Sequence, residues 1–251
     1  MEMLRDLIDS IACDAPVEEV TKGVFWTAVI SRFCGLSSTM IRDCASDDNQ
    51  AMYPEKPYTD MTALELARYA LMPDIARASI GLAAINSLIE PDYPKCVEIN
   101  ASDVLMEHGK NKNVSVIGHF PFTDDLRKTA KTLWVIEKWQ RPGDCPEGDA
   151  QKYLPLSDII AISSTTLINH TLNGLLELCP KESIKMLLGP TTPFSEVFFN
   201  YGIDVISGSR VLDKELALKY IREGANFRQL KRTGAIQLLT MISSKIKQKL
   251  R

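Results

Sequence analysis

The sequence has no C-x-x-C pair: its six cysteines stand at 13, 34, 44, 96, 145 and 179. That spacing excludes zinc ribbons and thioredoxin-type motifs, and it leaves free, mostly buried thiols as the expectation for a chain of this size. Apolar runs fall far short of the roughly 20 residues that a bilayer span requires. The first ten residues carry Glu2, Arg5, Asp6 and Asp9 in place of an apolar signal core, so the expectation is a cytoplasmic protein with no membrane partner. Charge of one sign is missing too. Against 29 Lys and Arg stand 32 Asp and Glu, net −3, so no global field draws in nucleic acid and a small molecule or protein is the expected partner. There is no G-x-G-x-x-G, Walker loop, G-x-S-x-G elbow or H-E-x-x-H, which removes ordinary NAD binding and the usual hydrolase, NTPase and zincin assignments. What remains is a composition suited to a real core: 45% hydrophobic and 24% charged residues over 251 positions, enough for one large domain or two modest ones.

Two halves read differently. Residues 1–109 open with a helical pattern, Met3, Leu4, Leu7, Ile8 and Ile11, followed by a β-branched and aromatic run over 23–30 that predicts a strand, with 36–41 returning as its hairpin partner. The stretch 44–60, with Asp47, Asp48, Asn49, Pro54 and Pro57, reads as a loop. Two helices follow, over 62–72 with Thr62 and Glu65 as a capping box, and over 74–89 with Ala76, Gly81, Ala83 and Ala84 permitting close approach. The polar run 107–113 has linker composition and marks a domain boundary at 109/110. Beyond it, continuous apolar runs at 114–117, 133–137, 159–163, 184–188 and 203–207 alternate with helical segments, the pattern of parallel strands covered on both faces. The fold class is therefore α/β: a first unit of mixed helices and strands followed by a doubly wound, mostly parallel sheet over 110–251. A last helix is expected over 235–250, with Leu238, Ile242, Ile246 and Leu250 four apart and a basic end suited to the helix dipole.

In an open α/β sheet, ligands bind beyond the carboxyl ends of the strands. Gly118-His119-Phe120-Pro121 follows the first strand of the second half, where glycine lets backbone approach a ligand and His119 can act as acid, base or metal ligand, or be fixed by a local hydrogen bond. Glu137 ends the second strand about 20 residues later, where a carboxylate reads ribose hydroxyls in dinucleotide folds; a plain surface charge is the alternative. Ser163-Ser164-Thr165-Thr166 opens a helix, with Asn169 one turn beyond Thr165 on the same face, and capping explains part of that hydroxyl run. His170 reads as surface. Leu188-Gly189-Pro190-Thr191-Thr192-Pro193 follows a strand and opens a helix, offering backbone and hydroxyl donors from Gly189, Thr191 and Thr192 to a carboxylate or phosphate.

Through 78–86, Val116-Ile117-Gly118-His119-Phe120-Pro121, Asn169-His170-Thr171-Leu172, Gly189-Pro190-Thr191-Thr192-Pro193-Phe194 and Ser207-Gly208-Ser209-Arg210-Val211, the chain resembles an uncharacterised prokaryotic family labelled putative heavy-metal chelation. The resemblance implies a first domain like the enolase N-terminal domain, a Rossmann-like second domain akin to Rossmann-type methyltransferases, and a cleft where the two meet. It further implies that Gly118, His119, Gly189, Pro190 and Thr191 line that cleft, with Asn86 joining from the first domain by its position in the shared segment. The metal label meets a sparse donor set: three histidines, and no recognised ligand spacing among His, Cys, Asp and Glu.

Three readings follow. The first is an enzyme for an anionic or nucleotide-like small molecule, performing condensation, hydrolysis or group transfer on a metal chelator, pterin-like or related compound. Here His119 moves protons, Glu137 holds hydroxyls, Gly118, Phe120, Thr165, Asn169, Gly189, Pro190, Thr191 and Thr192 hold the ligand or a cofactor of unspecified kind, and Asn86 touches substrate. The second is a non-catalytic binding protein for a heavy-metal chelate. In the third, the cleft serves a homodimer or larger assembly through exposed Phe120, Phe198 and Phe199.

Overall fold

A computed structural model describes residues 1–40, 56–97 and 101–247. The chain enters through a helix, Glu2–Asp9, that buries Met3, Leu4, Leu7 and Ile8. It then forms an antiparallel meander of β1 (Glu19–Lys22), β2 (Trp26–Ile30) and β3 (Cys34–Ser38), with Ala28 opposite Leu36. Strand alternation sends Trp26, Ala28 and Ile30 to one face, where Ala217, Leu218 and Ile221 of the helix Lys214–Arg222 cover them. Val29, on the other face, joins the core built on the helix Ile75–Leu88. That helix is buried nearly all round, as its small residues foretell. A Cβ on Gly81 would lie 2.0 Å from the backbone nitrogen of Ala70, and one on Gly35 would lie 2.1 Å from the Ala83 carbonyl oxygen, so both contacts require glycine. Thr62 and Glu65 form the expected capping box, their reciprocal bonds measuring 3.2 and 2.9 Å, but the α-helix covers only Ala63–Ala67 before tightening into a 3-10 turn. Of the loop read over 44–60, residues 44–55 lie outside the described residues, and Tyr58–Asp60 form a short 3-10 turn.

The second sheet has eight strands: β4 (Cys96–Val97), β5 (Asn113–Ile117), β6 (Thr132–Glu137), β7 (Cys145–Pro146), β8 (Ile159–Ser163), β9 (Ile184–Leu188), β10 (Val205–Val211) and β11 (Ile236–Ile242), in the order β4-β11-β10-β9-β8-β5-β6-β7. From β7 to β10 every pairing is parallel, and chain order reverses between β5 and β8, which is the dinucleotide-fold order with its switch point there. The mixed α/β architecture expected from the apolar runs is thus the observed one. Alternation along the strands divides the core in two. Ile160, Ile162, Leu187 and Ile206 point toward the first unit and share its core. Val114, Val116, Ala161, Met186 and Val205 point the other way, against Ala101, Leu105 and Leu126. The small meander and its helix therefore act as one of the two covering layers of the large sheet. Cys96–Val97 and Ala101–His108, which precede the 109/110 division, supply the edge strand β4 and a covering helix to that sheet.

The helix expected over 235–250 is a correction. Residues Ile236–Ile242 form β11, paired antiparallel with β10 along seven residue pairs, and helix returns at Ser244–Lys247, with 248–250 outside the described residues. A short apolar run has no periodicity that separates a strand from a buried helix, and the open edge of β10 decides the matter by offering a full ladder of backbone partners. Among the described residues no helix is long and apolar enough to cross a membrane. The aromatics proposed for assembly are not an exposed set: Phe198 is fully buried, Phe199 packs against the core, and Phe120 faces a cleft.

Candidate functional site

Three adjacent strands end at one place. The Gly118 N–H extends the ladder to the Ile136 carbonyl at 3.0 Å, Ser164 does so to Leu188 at 2.8 Å, and Gly189 to Ser207 at 3.0 Å. Gly118 has φ +96°, and a Cβ there would sit 3.0 Å from that of Ser163. Gly189 has φ +127°, and its Cβ would sit 2.8 Å from Ser164 Oγ. Both positions thus favour glycine by backbone conformation, and a side chain at either would also press on a serine. Above these ends, at the switch point, opens a cleft of about 600 Å³.

Its floor is Gly118, Ser163, Ser164, Thr165, Leu188, Gly189, Pro190, Ser207 and Gly208. One wall carries His119, Phe120 and Phe122, and another carries Phe227, Arg228 and Lys231 of the helix Phe227–Arg232. The first unit contributes Trp26 and Ser38. Hydroxyls are already ordered here: Ser163 and Thr165 share a 2.8 Å hydrogen bond. Phe120 stacks on Phe122 with ring centroids 5.1 Å apart, and the Thr123 hydroxyl pins its carbonyl at 2.7 Å. Two cations, Arg228 and Lys231, face the cleft against one carboxylate, Asp125, which Lys128 already engages at 2.7 Å. The balance suits an organic anion.

His119 is held from behind. Its Nδ1 lies 3.3 Å from Oδ2 of Asp144, whose side chain is only 1% exposed and also accepts the Arg141 N–H at 2.9 Å. A carboxylate only accepts, so this contact places the ring proton on Nδ1 and leaves Nε2 as the basic atom.

The other sequence-derived candidates separate into two groups. Gly118, His119, Phe120, Thr165, Gly189 and Pro190 meet in the cleft. Thr191, Thr192, Asn86, Glu137 and Asn169 are not among its lining residues. Thr191 turns inward and is fully buried; its hydroxyl accepts the Ser38 N–H at 2.9 Å and donates to Ser38 Oγ at 3.1 Å. Asn86 gives its amide protons to the carbonyls of Leu36, at 2.7 Å, and Thr191, at 2.9 Å. These residues bolt the loop after β9 to the first unit, so the Thr191 hydroxyl and the Asn86 amide, read as ligand donors, already have partners, whereas the buried Thr192 hydroxyl has none. Thr192 is buried beside them, its carbonyl under Gly208. Glu137 sits at the expected strand end but accepts the N–H of Lys138 at 2.8 Å. Asn169 ends the short helix Thr165–Ile168 and accepts both the N–H and the hydroxyl of Thr171, which breaks the single helix expected through this segment. His170 follows with φ +60°, and its Nε2 donates to the Ala70 carbonyl at 2.8 Å, a second tie between the units and not plain surface.

Sequence reading missed Asp144, Trp26, Ser38, Arg228 and Lys231. Asp144 had a local signal, a Gly143-Asp144 turn just before β7, but nothing in one dimension aims it at His119. Among the described residues no group of three or more His, Cys, Asp or Glu side chains could hold an ion, and His119 is directed by Asp144. Five cysteines are described, all free; Cys13 is exposed, and burial pushes the thiols of Cys34 and Cys179 up to about 12 and about 11.

Comparison with known proteins agrees with this architecture. Two family profiles, DUF4213 over residues 4–89 and DUF364 over residues 100–240, match the chain, and both are described as putative heavy-metal chelation. An uncharacterized protein of Methanocaldococcus jannaschii is 31% identical over 179 residues, 67% of each chain. Two crystal structures of DUF364 proteins of unknown function share the fold: one from Desulfitobacterium hafniense (TM-score 0.80, 24% identity) and one from Pyrococcus horikoshii (TM-score 0.78, 18% identity), each alignment covering 96% of this chain and 98% of the other. With more than half its length under one profile and a relative above 30% identity, the chain belongs to the DUF364 putative heavy-metal chelation family.

Proposed function

We propose that the protein is a small-molecule enzyme that binds an organic anion of the metal-chelator class in the cleft and transforms it with His119 as the proton-transfer group. The observation that carries this reading is the His119–Asp144 pair at the edge of a cleft lined by hydroxyls, aromatics and two cations. A buried carboxylate behind an imidazole fixes its tautomer and stabilises the imidazolium that forms when Nε2 takes a proton, the arrangement that general acid–base catalysis requires. Ser163 and Thr165 offer hydroxyl donors beside it, and Arg228 and Lys231 offset the charge of an acidic ligand. Condensation, hydrolysis and group transfer can each use such a proton shuttle. The family description favours a chelator over other anions, and the cleft's donors suit the organic part of a chelate better than a naked heavy metal.

A second reading, a carrier of a metal chelate without turnover, rests on the same family description. Thermal-shift screening of metal-free protein against chelators, nucleotides, S-adenosyl compounds and divalent metals separates the readings, because a ligand that binds only the native state raises Tm. The enzyme reading expects a shift with an organic anion, its consumption on incubation, and loss of at least 100-fold in turnover in both His119→Ala and Asp144→Ala, with thermal stability close to wild type. Stabilisation without consumption would establish the carrier. Unchanged turnover in His119→Ala would remove His119 from the chemistry.

A further inference from the structure

Trp26 lies on β2 of the first unit, yet it is a wall of the cleft. It is 93% buried, since its exposure is 7%, and its indole Nε1–H has no hydrogen-bond partner. Buried indole N–H groups nearly always have one. Trp26 shares one core face with Ala28 and Ile30, and of the three it alone carries a polar side-chain atom. The nitrogen is closed off from solvent, so a ligand reaches it only when a neighbour gives way. Phe227 is that neighbour. Its ring centroid lies 5.9 Å from the Trp26 ring and it also lines the cleft, but it is only half-buried, while Leu230 anchors the same helix in the core. Arg228 and Lys231 lie on that helix at a spacing that sets both on one side, and both line the cleft.

We propose that Trp26 is a ligand-reading residue contributed by the first unit: its Nε1–H donates to an oxygen of a multiply charged organic acid whose other acidic groups lie against Arg228 and Lys231, Phe227 turning aside to admit it. The proposal rests on the cleft reading above and adds to it the ligand class, a polycarboxylate, and the residue that selects for an acceptor at the deep end. It explains why a donor stands unpaired in the free protein: the partner arrives with the ligand, and a molecule lacking an acceptor there leaves the donor buried and unmatched, which is how such sites reject analogues.

The test uses the 251-residue chain labelled with 15N-tryptophan, which gives one indole signal for each of Trp26, Trp134 and Trp139, assigned with Trp134→Phe and Trp139→Phe. Citrate and pyridine-2,6-dicarboxylate are the probes. The expected result is a downfield shift of the Trp26 indole proton and slower exchange with solvent on saturation, the other two signals staying in place, together with about tenfold weaker citrate binding by calorimetry in Trp26→Phe, the loss of roughly one hydrogen bond. Arg228→Gln and Lys231→Gln are each expected to weaken citrate binding and to flatten its salt dependence. Binding of either probe that leaves the Trp26 signal unmoved, or equal affinity in Trp26→Phe, overturns the role of Trp26 and leaves the cleft reading standing. Binding of neither probe to the wild-type protein overturns the polycarboxylate class. Binding of the probes with equal affinity in His119→Ala and Trp26→Phe, with no cleft signal perturbed, overturns the cleft reading itself. The indole spectrum of the wild-type chain decides the question even if Trp26→Phe does not fold.

Discussion

Thr191→Val is a sharp test of what the loop after β9 does. Valine keeps the shape of threonine and deletes only the hydroxyl, which in the structure accepts the Ser38 N–H at 2.9 Å and donates to Ser38 Oγ at 3.1 Å. Thr191 is buried at 0% accessibility and Ser38 is half-buried where it lines the cleft, so water restores at most part of the lost bond. One net hydrogen bond contributes about 1 kcal/mol, and a backbone N–H left unpaired in a protein interior costs about 1–3 kcal/mol. A loss near 2 kcal/mol follows, which for a chain of this length lowers Tm by about 4–8 °C. Calorimetry or far-ultraviolet circular dichroism on both proteins measures it. Thr191→Ser, which keeps the hydroxyl and loses a methyl, is expected to fall by only about half as much. The reasoning fails if Thr191→Val melts with the wild type while binding of anionic ligands drops, because the hydroxyl would then belong to the cleft and not to the bolt between the units.

Gly189→Ala places a Cβ 2.8 Å from Ser164 Oγ in a residue with φ +127°, so it is expected to lose about 1–3 kcal/mol and to weaken ligand binding; Gly174→Ala, in the helix Leu172–Leu178 with open space around its Cβ, is expected to be neutral or stabilising in the same melts. Among the described cysteines, Cys13 is expected to be alkylated in the native protein at pH 8, while Cys34 and Cys179, with thiols pushed up to about 12 and about 11 by burial, react only after unfolding. Peptide mapping after brief iodoacetamide treatment reads this directly, and native labelling of Cys34 at the rate of Cys13 would show that its burial is not maintained in solution.

Much of the fold was legible from one dimension because it rests on local chemistry. The capping box at Thr62 and Glu65 needs only side chains three residues apart, and it formed as expected. The continuous apolar runs that became β5, β6, β8 and β9 announce burial on both faces, and burial on both faces is what a parallel sheet supplies. Glycine at 118 and 189, directly after strands, marked the turns over which the cleft opens. The run 236–242 was misread because its partner, β10, is what makes it a strand, and a partner is invisible to periodicity.

The site divides along the same line. From sequence alone came the strand ends that meet, and with them His119, Gly118, Phe120, Thr165, Gly189 and Pro190, because chain order and the switch-point rule together say where parallel strands deliver their last residues. Only the tertiary structure decided how hydroxyls and amides were used. Thr191 and Asn86 had the chemistry of ligand donors, but a donor binds a ligand only if no protein acceptor lies closer, and Ser38, Leu36 and Thr191 itself supply such partners from distant parts of the chain. The converse holds for Asp144 and Trp26, ordinary in sequence and brought together with the cleft when folding puts one behind His119 and leaves the other lining the cleft with its N–H buried and unmatched. Strand and turn signals are short-ranged and so can be read locally; hydrogen-bond pairing is a competition among all groups that folding brings within about 3 Å, and its outcome exists only in three dimensions.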